Sequence, residues 1–178
     1  MTASPLPRFP RALFLAARPL PLAPLSLGLG RLGRRVSARH PGLLRRLGPY
    51  AAQRFLVDPP DLPFVLLIVP QTAEVSAHRR GQGLDHAARI AGPLSAFLAM
   101  MHGAQDGDAL FFSRDLVIEG DTGAVLALRN AIDDSELDLT EEIAAMAGPL
   151  ASLARHTLGR TERLTGLSLH RTETEAWA

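Results

Sequence analysis

The segment Phe111 to Asp134, FFSRDLVIEGDTGAVLALRNAIDD, constrains the fold most, because it compresses a strand, a turn and a helix into one unit. Leu116 and Ile118 alternate with Val117 and Glu119, the period-two pattern of a half-buried strand. Gly120 and Asp121 then supply turn chemistry, and Asp121 or Thr122 is placed to cap a helix. In that helix Val125, Leu128 and Ile132 share one face, while Arg129, Asn130, Asp133 and Asp134 take the other. One face of that helix is therefore buried.

Upstream, Phe64 to Val69 reads as a central strand and Glu74 to Arg79 as its hairpin partner. Ala87 to Ala91 reads as a further strand, leading into a helix that starts at Pro93, carries Leu94, Phe97, Leu98 and Met101, and stops near Gly103. Leu43, Leu44, Leu47, Ala51 and Phe55 predict a helix between Pro41 and Val57, bent at Pro49 and ended by Pro59 and Pro60. Asp138 and Glu141 have capping-box spacing, opening a helical pattern to Leu158 that breaks near Gly148 and Pro149. Pro19, Pro21 and Pro24 predict an extended or irregular start over residues 1 to 27. Leu25, Leu29, Leu32 and Val36 form an apolar helical face opposite Arg31, Arg34 and Arg35, as in a membrane-contact segment. The expected division is a basic arm over residues 1–36, a domain over 37–158 and a polar tail over 159–178.

Charge is distributed unevenly. Residues 1–57 hold ten Arg and no acid, whereas the remainder holds nine Arg and 18 acids, giving about +10 against −9. Such an arm seeks an anionic partner: a phospholipid surface, a nucleic acid or the acidic body itself. Few aromatics accompany the arginines and the body repels phosphates, so nucleic acid is disfavoured. All 19 basic residues are Arg, the bias of a GC-rich bacterial genome. The start lacks a secretory h-region, although its Arg-rich, acid-free character also suits a transit peptide. The strongest apolar run, Phe64 to Val69, is far shorter than the roughly 20 residues a membrane helix needs. The expected location is cytoplasmic, with peripheral membrane association.

Catalytic chemistry is poorly represented. The chain contains no cysteine, which excludes disulfides, thiolate metal sites and cysteine nucleophiles. Six histidines are scattered without metal-binding spacing, so no metal and no cofactor is expected. GLGRLG at Gly28 to Gly33 matches a dinucleotide-binding pattern, but no strand precedes it and no acid follows before Asp58. The acids from Asp133 to Glu142 read as a solvated or helix-capping stretch, and Glu119 and Asp121 as parts of a turn and cap.

The phrase FFSRDLVIEGDT, its Leu-rich helix ending in RNAIDD, and ARIAG followed by PLSAFLAMM together resemble the SCP2 sterol-carrier domain of UbiT-type ubiquinone biosynthesis accessory factors. The resemblance spans roughly residues 40 to 135. It implies an α/β (α+β) fold in which a mainly antiparallel mixed sheet of about five strands is covered by helices around an apolar lipid cavity. Phe97, Met100, Met101, Phe111, Phe112, Leu116, Ile118, Val125 and Leu128 are the candidate lipid-binding residues, methionine being suited to variable chains. The resemblance further implies a non-catalytic role in oxygen-independent ubiquinone biosynthesis. Prenylated intermediates would be held and presented to UbiU- and UbiV-like iron–sulfur hydroxylases. A general phospholipid, fatty-acyl or sterol carrier, or a lipid-free interaction scaffold, are the alternatives.

Overall fold

The computed structural model describes residues 18–19, 21–102, 116–135, 137–148, 151–152, 156 and 159–160. Among them the order is α1 (Leu22–Arg39), α2 (Pro41–Leu47), a 3-10 turn (Gly48–Ala52), β1 (Phe55–Asp58), β2 (Val65–Val69), β3 (Glu74–His78), β4 (Ala88–Ala91), α3 (Leu94–His102), β5 (Val117–Gly120), α4 (Thr122–Ser135) and α5 (Leu139–Met146). The five strands form one sheet in the order β3-β2-β1-β4-β5. Only β1 and β4 run parallel; the β1–β2, β2–β3 and β4–β5 pairs are antiparallel. The mainly antiparallel mixed sheet with helices implied by the resemblance is therefore the observed fold.

Register makes each face of the sheet legible as rows. Val75, Ile68, Phe55, Ala88 and Gly120 stand opposite one another across the five strands, and Ala77, Leu66, Val57, Ile90 and Ile118 form the next row on the same face. This apolar face carries the helices. The alternate row, Ser76, Leu67, Leu56, Arg89 and Glu119, turns from apolar to charged along its length and belongs to the other face.

The strand–turn–helix unit is as its sequence predicts. Leu116 is buried, Val117 exposed, and Ile118 packs against the core. Gly120 adopts φ +85°, and a Cβ there would collide with the Ala87 carbonyl oxygen, so glycine is required twice over. The Asp121 carboxylate then accepts from the Ala124 N–H at 2.9 Å, capping α4. Asp138 likewise caps α5, accepting from the Glu141 N–H at 3.0 Å.

Two expectations are overturned. The helix predicted from Pro41 to Val57 ends at Leu47, and after the 3-10 turn Phe55–Asp58 is a strand at the centre of the sheet. Phe55 and Leu56 are buried on opposite faces, a demand that only a strand between two layers satisfies. The irregular segment predicted up to residue 27 is helical from Leu22, because Pro21 precedes the helix and Pro24 lies in its first turn, where no intrahelical N–H is lost. The expected arm boundary at residue 36 thus falls inside α1.

Candidate lipid site

A cavity of about 300 Å³ lies between the apolar face of the sheet and the helices. Val57, Leu66, Ile68, Val75 and Ile90 form its floor, and residues from each of the helices α1 to α5 form its walls and roof. Ser37 and Glu74 are its polar side chains, and Glu74 is exposed on the edge strand β3. A void walled by apolar groups asks nothing of a ligand except an apolar surface.

The cavity's outer wall is α1. Leu29, Leu32 and Val36 point into it, the same apolar face that the helical spacing identifies. Three contacts fasten this helix to the body. Ser26 Oγ accepts from the Ala77 N–H at 2.9 Å and donates to the Ala77 carbonyl at 3.3 Å, satisfying backbone groups on the edge strand β3. At Gly33 an added Cβ would lie 2.6 Å from the Ala73 carbonyl oxygen and 3.0 Å from Val75 Cγ2, so the helix approaches the strand as closely as glycine allows. Finally, Arg35 Nε donates to Glu142 Oε2 at 2.7 Å, with Arg39 Nε 3.3 Å and His40 Nε2 3.6 Å from Oε1. The GLGRLG pattern is thereby explained: Gly30 is buried and Gly33 makes the close approach to the strand.

Four of the sequence-predicted residues, Phe97, Met100, Met101 and Leu128, line this cavity. Leu116 and Val125 instead join Met100 and Leu128 around a void of about 20 Å³ under α4, and Ile118 packs against the same core. Phe111 and Phe112 lie outside the described residues. The floor strands and α1 were absent from the predicted set, although the apolar run of β2 and the apolar face of α1 were both visible in sequence. Of the predicted membrane-contact residues, Arg31 and Arg34 are exposed, whereas Arg35 is engaged by Glu142. Glu142 corrects the reading of the acidic stretch as solvated, since it is only 5% exposed.

The opposite face of the sheet is built differently. Asp58, 6% exposed, accepts from Arg80 Nη2 at 2.6 Å and Arg89 Nη2 at 2.7 Å, with further bonds from both Nε atoms. Burial pushes the Asp58 carboxyl upward, but the bonds from Arg89 and Arg80 outweigh it and hold the group below its ordinary value. Arg89 also donates to Glu119 at 2.8 Å. The Asp121 carboxyl is held low by the bond from the Ala124 N–H and then that from Gln53. Glu119 and Asp121, the acids of the IEGDT phrase, are thus an ion-pair partner and a helix cap. Among the described residues no group of three or more histidines, cysteines and acids could hold a metal, and no helix is long and apolar enough to cross a membrane.

No curated protein matches the chain. A solved structure described as a UbiJ-SCP2 ubiquinone synthesis protein superposes with a TM-score of 0.53 at 21% identity, covering 66% of this chain and 96% of that one. Sterol carrier protein 2 from Yarrowia lipolytica, in its apo form, aligns with a TM-score of 0.44 at 11% identity, covering 60% of this chain and 88% of that one. The sequence pattern of the SCP-2 sterol transfer family matches residues 32–133, more than half of the chain. On that match, and with the mixed five-stranded sheet described above, the chain belongs to the SCP-2 sterol transfer family.

Proposed function

We propose that this protein is a non-catalytic lipid carrier that holds the prenyl tail of ubiquinone intermediates and presents their rings to partner hydroxylases. Lipid carriage rests on family membership. The observation that carries the reading is the 300 Å³ apolar cavity beneath α1. Its size is at the lower end of the about 300–1,000 Å³ usual for small-molecule sites, enough to hold part of one chain. Roughly ten buried methylenes at about 0.8 kcal/mol each contribute ~8 kcal/mol before ordering costs, so the tail supplies affinity without a dedicated polar group.

The finer assignment to ubiquinone intermediates is supported by the IEGDT and ARIAG phrases and by the description of the UbiJ-SCP2 structure as a ubiquinone synthesis protein. UbiU- and UbiV-like iron–sulfur hydroxylases are the corresponding partners, since a chain without cysteine has no thiolates of its own for a cluster. Docking on an anionic bilayer fits the outer face of α1, where Leu27, Arg31 and Arg34 are exposed at helical spacing. Each such Arg contributes about 1 kcal/mol near an anionic surface. The family's sterol-transfer description favours a second reading, a carrier of general lipids.

Substitution of Leu128 by Trp tests the cavity, because it adds bulk on its wall without adding charge. A folded Leu128→Trp protein is expected to lose at least tenfold in affinity for a prenylphenol probe. Undiminished affinity, with an unchanged far-ultraviolet circular dichroism spectrum, would place the ligand elsewhere.

A further inference from the structure

The wall formed by α1 is fastened unequally along its length. At its C-terminal end Glu142, 5% exposed, gathers Arg35, Arg39 and His40, and the chain runs on through His40 into α2. Ahead of Arg35, and among the described residues, Ser26 is the one side chain of α1 that holds the body by a hydrogen bond or ion pair. Its partners are the backbone N–H and carbonyl of Ala77 on the edge strand β3. The helix start has no side-chain cap, and of its 18 residues Gly30 alone is buried, whereas α4 buries Ala124, Val125, Leu128 and Ala131. Few buried groups and a tether that water can replace place this half of α1 among the least stable parts of the fold. We propose that α1 is a hinged lid: its N-terminal half lifts from β3 about the end clamped by Glu142, and lipid enters and leaves through the seam between α1 and β3. The proposal rests on the lipid-carrier reading and deepens it by naming the route of exchange.

That seam is a boundary of the cavity itself. Leu29, Leu32 and Gly33 on the helix and Ala73 and Val75 across from them all line the cavity, so parting the two elements opens it along its length. The polar cost is small, because Ser26 Oγ and both Ala77 backbone groups can turn to water, as the groups of an edge strand do. From Ser26 to Arg39 the helix is a lever of about 20 Å, and a swing of about 20° carries Ser26 about 7 Å from the strand. Gly33, whose missing Cβ lets the helix lie against the Ala73 carbonyl, stands two residues from Arg35, near the clamp, where a swing displaces the backbone least. Ser26 also precedes residues 32–133, so the tether lies outside the part of the chain that the family pattern describes.

The chain has no cysteine of its own, and Ser26 Oγ lies 2.9 Å from the Ala77 nitrogen, so Ser26→Cys with Ala77→Cys sets up a single disulfide across the seam. Binding and release of cis-parinaric acid, a fluorescent polyene fatty acid, are followed by stopped flow in the full-length protein. With the disulfide formed, association and dissociation are expected to slow together by about tenfold or more while Kd stays within about twofold, and reduction is expected to restore both rates. Ser26→Ala is expected to speed both rates about fivefold at unchanged Kd, the effect of losing one tether. Unaltered rates in the bridged protein overturn the proposal. Where the cysteines do not bridge, Ser26→Ala decides alone, and unaltered rates in that folded variant overturn it. A change in Kd carried by one rate only makes Ser26 a ligand contact and overturns it too. A wild-type protein that binds no parinaric acid overturns the carrier reading, and the lid with it.

Discussion

Two helices cover the same face of one sheet, and they do so in opposite ways. Beneath α4 the sheet offers Ala88 and Gly120, the helix offers Ala124 and Ala131, and these small residues let the two layers close around Phe55 and Val125 with almost no space left. Beneath α1 the sheet offers Ile68, Leu66 and Val75, the helix offers Leu29, Leu32 and Val36, and the layers stand apart around a 300 Å³ cavity. Here α1 is fastened by its contacts with β3 and by the Arg35–Glu142 bond instead of by a filled interior. Helix–sheet packing therefore fills the interior on one half of the sheet and leaves a walled cavity on the other.

That contrast is open to direct attack. The largest effect should come from truncation on the sealed half: Phe55→Ala removes a fully buried ring and should cost about 3–5 kcal/mol in urea unfolding. Ile68→Ala, on the same sheet row but beside the cavity, should cost less than half as much in delipidated protein, because its side chain already borders a void. Equal costs would erase the distinction between the halves.

Next in size is the polar face. Asp58→Asn leaves two guanidiniums without their shared charge, and about 3 kcal/mol should be lost, the lower end for a buried pair because both arginines reach solvent. The folded-state value of Asp58 is depressed, so its contribution is complete above the ordinary carboxylate value of 3.8 and disappears as pH falls through the folded value. The stability gap between wild type and Asp58→Asn should hold constant above about pH 5 and narrow in more acid solution. A gap independent of pH down to acid unfolding would remove the ion network from the account.

Smallest is a pair of glycine substitutions within α1. Gly33→Ala forces the helix off the Ala73 carbonyl and should destabilise by about 1–3 kcal/mol. Gly28→Ala meets nothing within 4 Å and should stabilise by up to about 1 kcal/mol through helix propensity alone. If the two shift the thermal midpoint in the same direction, α1 is not seated on β3 as described.

What the sequence discloses follows from how local each determinant is. The β5–α4 unit is legible because alternation, a turn glycine and a capping carboxylate act within a few residues of one another. The central strand β1 is hidden, since Leu43, Leu47, Ala51 and Phe55 keep helical spacing across a segment that Gly48, at φ +51°, in fact turns aside. Glu142 is hidden for the opposite reason: its neighbours in sequence are capping acids, while Arg35 lies 107 residues away. The apolar face of α1 is plain in the sequence, but its partner is not, because local periodicity shows that a face is buried without showing against what. The candidate site divides in the same way. Met100 and Leu128 belong to elements with clear helical periodicity, whereas the wall they share with Leu29 and Val36 exists only in three dimensions.

Whether the cavity beneath α1 carries a prenylated lipid can be read by mass spectrometry of the solvent extract from protein purified out of its native host. Prenylated phenols or quinone precursors should be enriched over their share of total membrane lipid, and depleted when the Leu128→Trp protein is purified in parallel. Phospholipid alone would contradict the assignment to ubiquinone intermediates, and an extract free of lipid at full protein recovery would contradict lipid carriage itself.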